Sequence, residues 1–329
     1  MTDEQSDPIR RGVLSRRAAL AIATIPVAAA CATPARPADA SRSSVASTPP
    51  RRPDAEMYYA RAAELAGDDP VLLDVVRAQR AGWMPPKAPD PRPVRIFDDV
   101  AVVGTDFVQA TALATSAGVV LIDALESSVE AEGILVPGLR AVGMNPAAID
   151  SVIVAHGHAD HFGGAQFVAD RCGARVLMSK RDWDLVAEES PDVAPDRDLE
   201  IHDGQELRSG TTTVRLPLTP GHTRGTVSPT FPVHWNGRRH RAILWGGMGL
   251  PRSTRDRRAY LTSVRETSRR ARREGIDVVL TNHGNVERLE EVAGLGRRAE
   301  NPFILGRART DRFWAVLEAM VRGRIADGT

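Results

Sequence analysis

The chain has 329 residues, a length that allows one large domain or two smaller ones. Its 42% hydrophobic and 26% charged residues are ordinary for a globular protein. A formal net charge of +1 excludes any global electrostatic case for binding to nucleic acid or to an anionic membrane surface.

Residues 1–40 predict an export signal. Four arginines, the last two being Arg16 and Arg17, precede an apolar stretch from Ala18 to Ala30. This stretch is too short for a bilayer span, which takes about 20 residues. The segment Ser15 to Leu20 is similar to the twin-arginine motif, whose route exports proteins that are already folded. We therefore expect an exported protein, in the periplasm or at the cell surface.

The sequence allows two positions at which the export signal could end. Ala38-Asp39-Ala40 fits an Ala-x-Ala cleavage site, whereas Ala28-Ala29-Ala30-Cys31 resembles a lipoprotein box in which Cys31 would be acylated and anchor the chain to a membrane. In either case Cys172 has no partner, so no intramolecular disulfide is expected. Residues 41–93 follow as a linker rich in Ser, Pro and Arg and a short helical extension, with two helices predicted between Met57 and Arg80.

From Val94 to the end, at residue 329, the pattern predicts one domain of alternating strands and helices. Residues 100–104 and 107–115 predict antiparallel strands, and residues 118–123 predict a strand buried on both faces because the run is continuously apolar. After a helix at 129–142, residues 151–154 predict the next buried strand. Further predicted helices cover 164–171, 181–187, 258–273 and 313–321. Further predicted strands cover 174–178, 199–202, 212–218, 226–233, 241–245 and 276–281. Two β-rich halves covered by helices predict an α/β fold, a four-layer αββα sandwich.

The predicted strand at 151–154 leads into His156-Gly157-His158-Ala159-Asp160-His161. Residues two apart in extended chain point the same way, so His156 and His158 can bind one metal ion together. Asp160 and His161 follow as the chain turns and can face a second ion. Imidazole nitrogen and carboxylate oxygen are typical zinc ligands. In α/β proteins, bound ligands usually lie at the carboxyl ends of the strands.

Two further histidines follow predicted strands. His222 lies in Thr219-Pro220-Gly221-His222-Thr223, where Pro and Gly favour a tight turn, and His283 follows the strand at 276–281. Three strand ends that carry histidine predict a metal site. His202, His234 and His240 lie on polar, hairpin-like segments and are interpreted as surface residues.

The order of these motifs, across roughly residues 94–292, is similar to that of the metallo-β-lactamase superfamily. The resemblance implies two Zn²⁺ ions per chain. His156, His158 and His222 would bind the first ion, and Asp160, His161 and His283 the second. It also implies that Asp123, which ends the apolar strand at 118–123, supports these ligands.

The absence of one aspartate limits which members of the superfamily the chain resembles most. Lactonase- and glyoxalase-type members carry a bridging aspartate after the strand at 241–245, whereas here Gly246-Gly247-Met248-Gly249 follows. The ligand set is most similar to the β-lactamase subclass whose second zinc is bound by Asp and two His. Arg224 replaces the proline usual after Gly-His-Thr; it either holds an anionic substrate group or is an exposed arginine without a role.

The sequence thus predicts an exported dinuclear zinc hydrolase with a small-molecule substrate. A metal-bound hydroxide, oriented by Asp160, would open a cyclic amide or a related carbonyl compound. If the substrate is a β-lactam, the protein has a part in antibiotic resistance. The alternatives are a lactonase or other ester hydrolase on the same scaffold, and a metal-binding surface protein without turnover. Iron or manganese could also occupy an Asp/His site, and the oligomeric state is open.

Overall fold

The computed structural model describes residues 53–80, 87–284, 286–294 and 300–328. The predicted export signal at 1–40, including Cys31, lies outside these residues and stays a prediction. Among the described helices, none combines the length and the apolar character that a membrane crossing requires.

The first sheet has seven strands that lie side by side in chain order. They are β1 (Val94–Arg95), β2 (Val100–Gly104), β3 (Gln109–Ala114), β4 (Val119–Ile122), β5 (Ile149–Ile153), β6 (Arg175–Ser179) and β7 (Leu199–Ile201). Strands β1 to β4 pair antiparallel, and β4 to β7 pair parallel. The carboxyl ends of β4 and β5 therefore meet at one edge of the sheet.

The second sheet has five described strands in the order β12-β11-β10-β9-β8. They are β8 (Gln205–Ser209), β9 (Thr212–Leu216), β10 (Thr230–Trp235), β11 (Arg238–Trp245) and β12 (Val278–Thr281). Strand β8 was not predicted, and β11 begins three residues before the predicted strand at 241–245. Asn236 and Gly237 have positive φ angles of 51° and 75°, as in a two-residue hairpin turn. This tight turn lets β10 and β11 pair up to Trp235 and Arg238.

Ten helices are described, and most of them cover the outer faces of the two sheets. They are α1 (Pro53–Ala66), α2 (Pro70–Ala78), α3 (Ser128–Glu130), α4 (Val136–Ala141), α5 (Ala159–Phe162), α6 (Ala165–Cys172), α7 (Lys180–Glu189), α8 (Thr254–Glu274), α9 (Val286–Gly294) and α10 (Gly306–Asp327). A π-helical turn, Ala131–Leu135, joins α3 to α4. Helix α9 was not predicted.

Three buried cores confirm the four-layer αββα sandwich. Ile122 and Ile153 from the first sheet share one core with Leu244 and Leu280 from the second, so this core lies between the sheets. A second core joins the other face of the first sheet to α4, α6 and α7, and a third joins the second sheet to α1, α2, α8 and α10. Strand β4 contributes alternate side chains to the first two cores, which explains its continuous apolar run.

The two helices in the region predicted as an extension pack against α10. Asp69 caps α2 by accepting the Val71 N–H, and its carboxylate also forms a two-pronged ion pair with Arg309 of α10, at 2.8 and 2.9 Å. The ion pair fixes the start of α2 on the last helix. The domain boundary at residue 94 stays a prediction.

Candidate metal centre

Strand ends bring the six predicted metal-binding residues into two groups. His156 follows β5, and His158 is the N-cap of the short helix α5, which carries Asp160 and His161. His222 lies in the turn between β9 and β10, and His283 directly follows β12. Each side chain is thus held at the end of a hydrogen-bonded element, which limits the freedom of its backbone.

His156, His158 and His222 form the first donor group. The Nε2 atom of His222 lies 3.0 Å from Nε2 of His156 and 3.1 Å from Nδ1 of His158. Two nitrogens on one tetrahedral zinc would be about 3.3 Å apart, given zinc–nitrogen bonds of about 2.0–2.1 Å. The three nitrogens are therefore spaced closely enough for one such ion.

Asp160, His161 and His283 form the second donor group. The Oδ2 atom of Asp160 lies 3.1 Å from Nε2 of His161 and 3.4 Å from Nε2 of His283, and the two imidazole nitrogens are 3.2 Å apart. In each group the donor atoms all lie within 4.8 Å of one another. The groups are neighbours, because the rings of His156 and His161 have centroids only 3.9 Å apart.

Hydrogen bonds at the far side of four rings fix which nitrogen faces the centre. The Nδ1 atoms of His156 and His222 donate to the carbonyl oxygens of Gly246 and Gly249, both at 2.6 Å. Nδ1 of His283 donates to the Phe107 carbonyl at 2.7 Å. In His161 the acceptor is Asp123, at 2.8 Å. These bonds turn Nε2 of each ring toward the centre, as in histidines that bind metals. His158 instead turns Nδ1 inward.

The environment keeps most of these imidazoles neutral and Asp160 ionised. Burial, reinforced by the neighbouring imidazoles, lowers the pKa of His156 well below its usual value and that of His222 to about 3. Burial lowers the pKa of His283 to about 4. Burial would raise the pKa of Asp160, but the hydrogen bond and positive charge of His161 dominate and hold it well below its ordinary value. Neutral imidazole and carboxylate are the forms that bind metal.

Asp123 supports the second donor group through a hydrogen bond to His161. Its buried carboxylate accepts the Ala155 N–H and the His161 Nδ1–H, both at 2.8 Å, and the Asn282 amide at 3.1 Å. Asp123 also has φ of +63°, a conformation that Asp tolerates better than most residues. Asn282 is fully buried and was not singled out in the sequence, although it directly precedes His283.

The segment Gly246–Gly249 directly follows β11, where the sequence resemblance pointed to a missing aspartate. A Cβ atom on Gly246 would lie 1.9 Å from the Val227 carbonyl oxygen, and one on Gly247 would lie 2.5 Å from Cβ of His222. No side chain fits at either position. Packing therefore excludes a carboxylate at these two positions, and the carbonyls of Gly246 and Gly249 accept hydrogen bonds from His156 and His222.

Replacing Gly247 by alanine should displace the His222 ring. The new methyl group would meet His222 atoms at 2.5–2.8 Å, well inside van der Waals contact. We expect weaker binding of one metal ion by the first donor group, measured by chelator competition. The matched control is Gly133→Ala, where a Cβ meets nothing within 4 Å. Equal metal affinity of both variants would contradict this packing argument.

A cavity of about 490 Å³ adjoins the first donor group. His158, His222 and Arg224 are among its lining residues. The Arg224 side chain is 60% exposed and its Nε lies 3.4 Å from Asp256. Arg224 therefore borders the cavity with its guanidinium largely in solvent, a position from which it can reach an anionic group.

The remaining three histidines differ in exposure. His202 is exposed, and the side chain of His234 is 43% exposed. The surface interpretation was wrong for His240, whose side chain is only 12% exposed and hydrogen-bonded to Asp277 at 2.7 Å. Its hairpin folds back on the loop before β12, a contact that local polarity does not indicate.

The αββα sandwich places two adjacent groups of possible metal ligands at its edge, and this arrangement can be compared with known proteins. Residues 103–234 match the model of the Metallo-beta-lactamase superfamily. The structure is similar to BJP-1, a subclass B3 metallo-β-lactamase of Bradyrhizobium japonicum, with a TM-score of 0.60 and 23% identity over 70% of this chain and 91% of that one. At this identity the likeness shows the fold.

Curated relatives match over shorter stretches. An uncharacterized protein of Mycobacterium leprae is 33% identical over 113 residues, covering 28% of this chain and 52% of that protein. The hydroxyacylglutathione hydrolase of Acidiphilium cryptum is 33% identical over 93 residues, covering 28% of this chain and 35% of the enzyme. The chain thus spans about half or less of the length of these two relatives.

Proposed function

We propose that this chain is an exported hydrolase that uses two zinc ions to open a cyclic amide or a related carbonyl compound, in the manner of a β-lactamase. The observation that carries the proposal is the pair of adjacent donor groups, one of three histidines and one of an aspartate and two histidines. The similarity to a metallo-β-lactamase of subclass B3 supports the choice of substrate. Export rests on the sequence of residues 1–40.

The donor set fits zinc. The first donor group would hold one ion through three neutral imidazoles, and the second would hold another through two imidazoles and the Asp160 carboxylate. Zinc in such a pair supplies Lewis acidity and lowers the pKa of a bound water toward about 7. Burial would raise the pKa of Asp160, but in the metal-free chain His161 holds it low, so the Asp160 carboxylate is in the ionised form that binds metal.

Other residues of the chain would position the substrate. The cavity beside His158 and His222 offers room for a small molecule, and the Arg224 guanidinium at its border can bind a carboxylate. Because Gly246 to Gly249 carries no hydroxyl group, Arg224 is the better candidate for holding an anionic substrate group on this side.

A lactonase or other ester hydrolase is the second candidate. The curated relatives named hydroxyacylglutathione hydrolase favour a substrate other than a β-lactam. The Gly246–Gly249 segment also lacks the serine with which β-lactamases commonly receive the β-lactam carboxylate. A metal-binding surface protein without turnover is the third candidate, and the presence of all six donors argues against it.

Metal content and a substrate panel test the proposal together. We expect the purified full chain to bind two zinc ions and to hydrolyse a chromogenic cephalosporin. A chelator should abolish the hydrolysis, and added zinc should restore it. Turnover of lactones or thioesters without the cephalosporin would select the second candidate. Two bound ions with no turnover across lactam, lactone, ester and thioester substrates would select the third.

A further inference from the structure

A second buried carboxylate lies beside the first donor group. Asp182 is 1% exposed and lies outside both donor groups. Its Oδ2 accepts the Gly157 N–H at 2.9 Å and the Thr223 hydroxyl at 2.6 Å, and its Oδ1 accepts the Gly225 N–H at 3.0 Å. Hydrogen bonds to an ionised acceptor are about twice as strong as neutral ones.

Helix α7 holds this carboxylate in place. Ser179 is the N-cap of α7, and its hydroxyl accepts the backbone N–H of Asp182 at 3.2 Å. Asp182 thus lies in the first helical turn, where the helix dipole favours a negative charge. Trp183 and Val186 anchor the same helix in the core of the outer layer. The carboxylate is therefore fixed to a rigid element.

Both glycine partners are fitted to Asp182. A Cβ atom on Gly225 would lie 2.0 Å from Ser179 Oγ and 2.5 Å from Asp182 Oδ1. A Cβ atom on Gly157 would lie 3.1 Å from the Asp182 carbonyl oxygen. A side chain at position 225 would push its loop away from α7, so glycine is needed there for the close approach, whereas the contact at Gly157 is tight.

The three hydrogen bonds join the two loops that carry the whole first donor group. Gly157 lies between His156 and His158, and Thr223 and Gly225 follow His222 in the other loop. Thr223 is held further by Thr226, whose hydroxyl lies 2.8 Å from the Thr223 hydroxyl. No hydrogen bond described for the Asp182 carboxylate reaches the second donor group, whose carboxylate support is Asp123.

The geometry points to Asp182 as a positioning residue for the first metal ion: it ties the His156–His158 loop to the His222 loop and so sets the spacing of the three imidazoles. This inference rests on the proposed function, because it assumes that the first donor group binds metal. It gives the two donor groups separate carboxylate supports, Asp182 for the first and Asp123 for the second.

Metal titration of matched variants tests the inference. Chelator competition would give two zinc-binding steps, and His222→Ala and His283→Ala would assign each step to a donor group. We expect Asp182→Asn and Thr223→Val to weaken the first-group step by about 10–100-fold, the usual effect of losing a hydrogen-bonding partner behind the ligands. Thr223→Ser keeps the hydroxyl and should bind as the wild type does. Asp170→Asn, an exposed carboxylate on α6, should also leave both steps unchanged.

Amide hydrogen exchange of the metal-free chain is a second readout. Loss of the carboxylate should speed exchange at Gly157 and Gly225 while the amides of β4 and β5 stay protected. Unchanged first-group affinity in Asp182→Asn and Thr223→Val would overturn the inference, as would an equal loss at both steps. A wild type that binds two ions without hydrolysis would refute only the proposed function, and a hydrolase with unaffected variants would refute only this inference.

Discussion

Replacing Asp160 by alanine should leave a folded chain that binds one zinc ion tightly instead of two and has lost nearly all hydrolytic activity. Asp160 is the only carboxylate of the second donor group, and its Oδ2 lies 3.1 and 3.4 Å from the Nε2 atoms of His161 and His283. Without it the second group has two imidazoles, too few for a stable zinc site.

The expected loss of rate follows from what the second ion contributes. Lewis-acid stabilisation by a metal is worth several kcal/mol, and about 3–5 kcal/mol corresponds to a fall in kcat/KM of roughly 10²–10⁴-fold. The side chain of Asp160 is small and lies outside the three apolar cores, so the fold should persist without it. Metal analysis, circular dichroism and initial rates on the substrate that the panel identifies would measure the three effects.

Asp170→Ala is the control for Asp160→Ala. Asp170 is an exposed carboxylate near the end of α6, with Gln166 as a hydrogen-bond donor at 2.7 Å. The Asp170→Ala variant should bind both zinc ions and keep full activity. If Asp160→Ala also binds two ions and turns over substrate at the wild-type rate, the second donor group has no part in the reaction.

The sequence predicted the donor residues because strand ends and ligand chemistry are both visible in it. Buried strands appear as short apolar runs, and the residues that follow β5 and β12 are brought to one edge of the sandwich by its topology. His156 and His283 could be assigned in this way. The Gly-His-Thr turn marked His222 for the same reason, since Pro and Gly indicate a turn directly after a strand.

The contacts that hold the donors in place could not be predicted in the same way. Asp182 lies 41 residues from Thr223 in the chain, and its role depends on where α7 packs. In the sequence Asn282 is only a polar residue that follows a strand, whereas in the structure it is fully buried and hydrogen-bonded to Asp123. The periodicity of apolar residues predicts which residues are buried. It does not predict with which distant loop a buried polar group will form hydrogen bonds.

The supports of the individual imidazoles also differ in kind. Backbone carbonyls of Gly246 and Gly249 accept the outer N–H groups of His156 and His222, whereas a carboxylate accepts that of His161. A carboxylate makes an imidazole more basic than a carbonyl does, which strengthens it as a metal ligand. In the metal-free chain the same contact favours the imidazolium form of His161. Burial lowers the pKa of His161, but Asp123 and Asp160 together raise it to about 9.

Replacing Asp123 by asparagine should therefore remove a pH-dependent part of the stability of the metal-free chain. A group whose pKa rises on folding from 6.5 to about 9 stabilises the folded state fully below pH 6.5 and loses that contribution as the pH rises through 9. For His161, which is fully buried, the shift corresponds to about 3 kcal/mol. Asparagine tolerates the left-handed backbone at this position, so the substitution removes the charge without straining the backbone.

Chemical denaturation of the chelator-treated wild type and of Asp123→Asn, from pH 6 to pH 10, would measure the effect. The gap in the free energy of unfolding should be largest at pH 6 and should narrow as the pH approaches 10, because the imidazolium is then lost from the wild type as well. His156, His222 and His283 have lowered pKa values and contribute in the opposite direction below pH 6.5, but they are common to both chains. A gap that does not change with pH would mean that Asp123 supports His161 through packing alone and not through its charge.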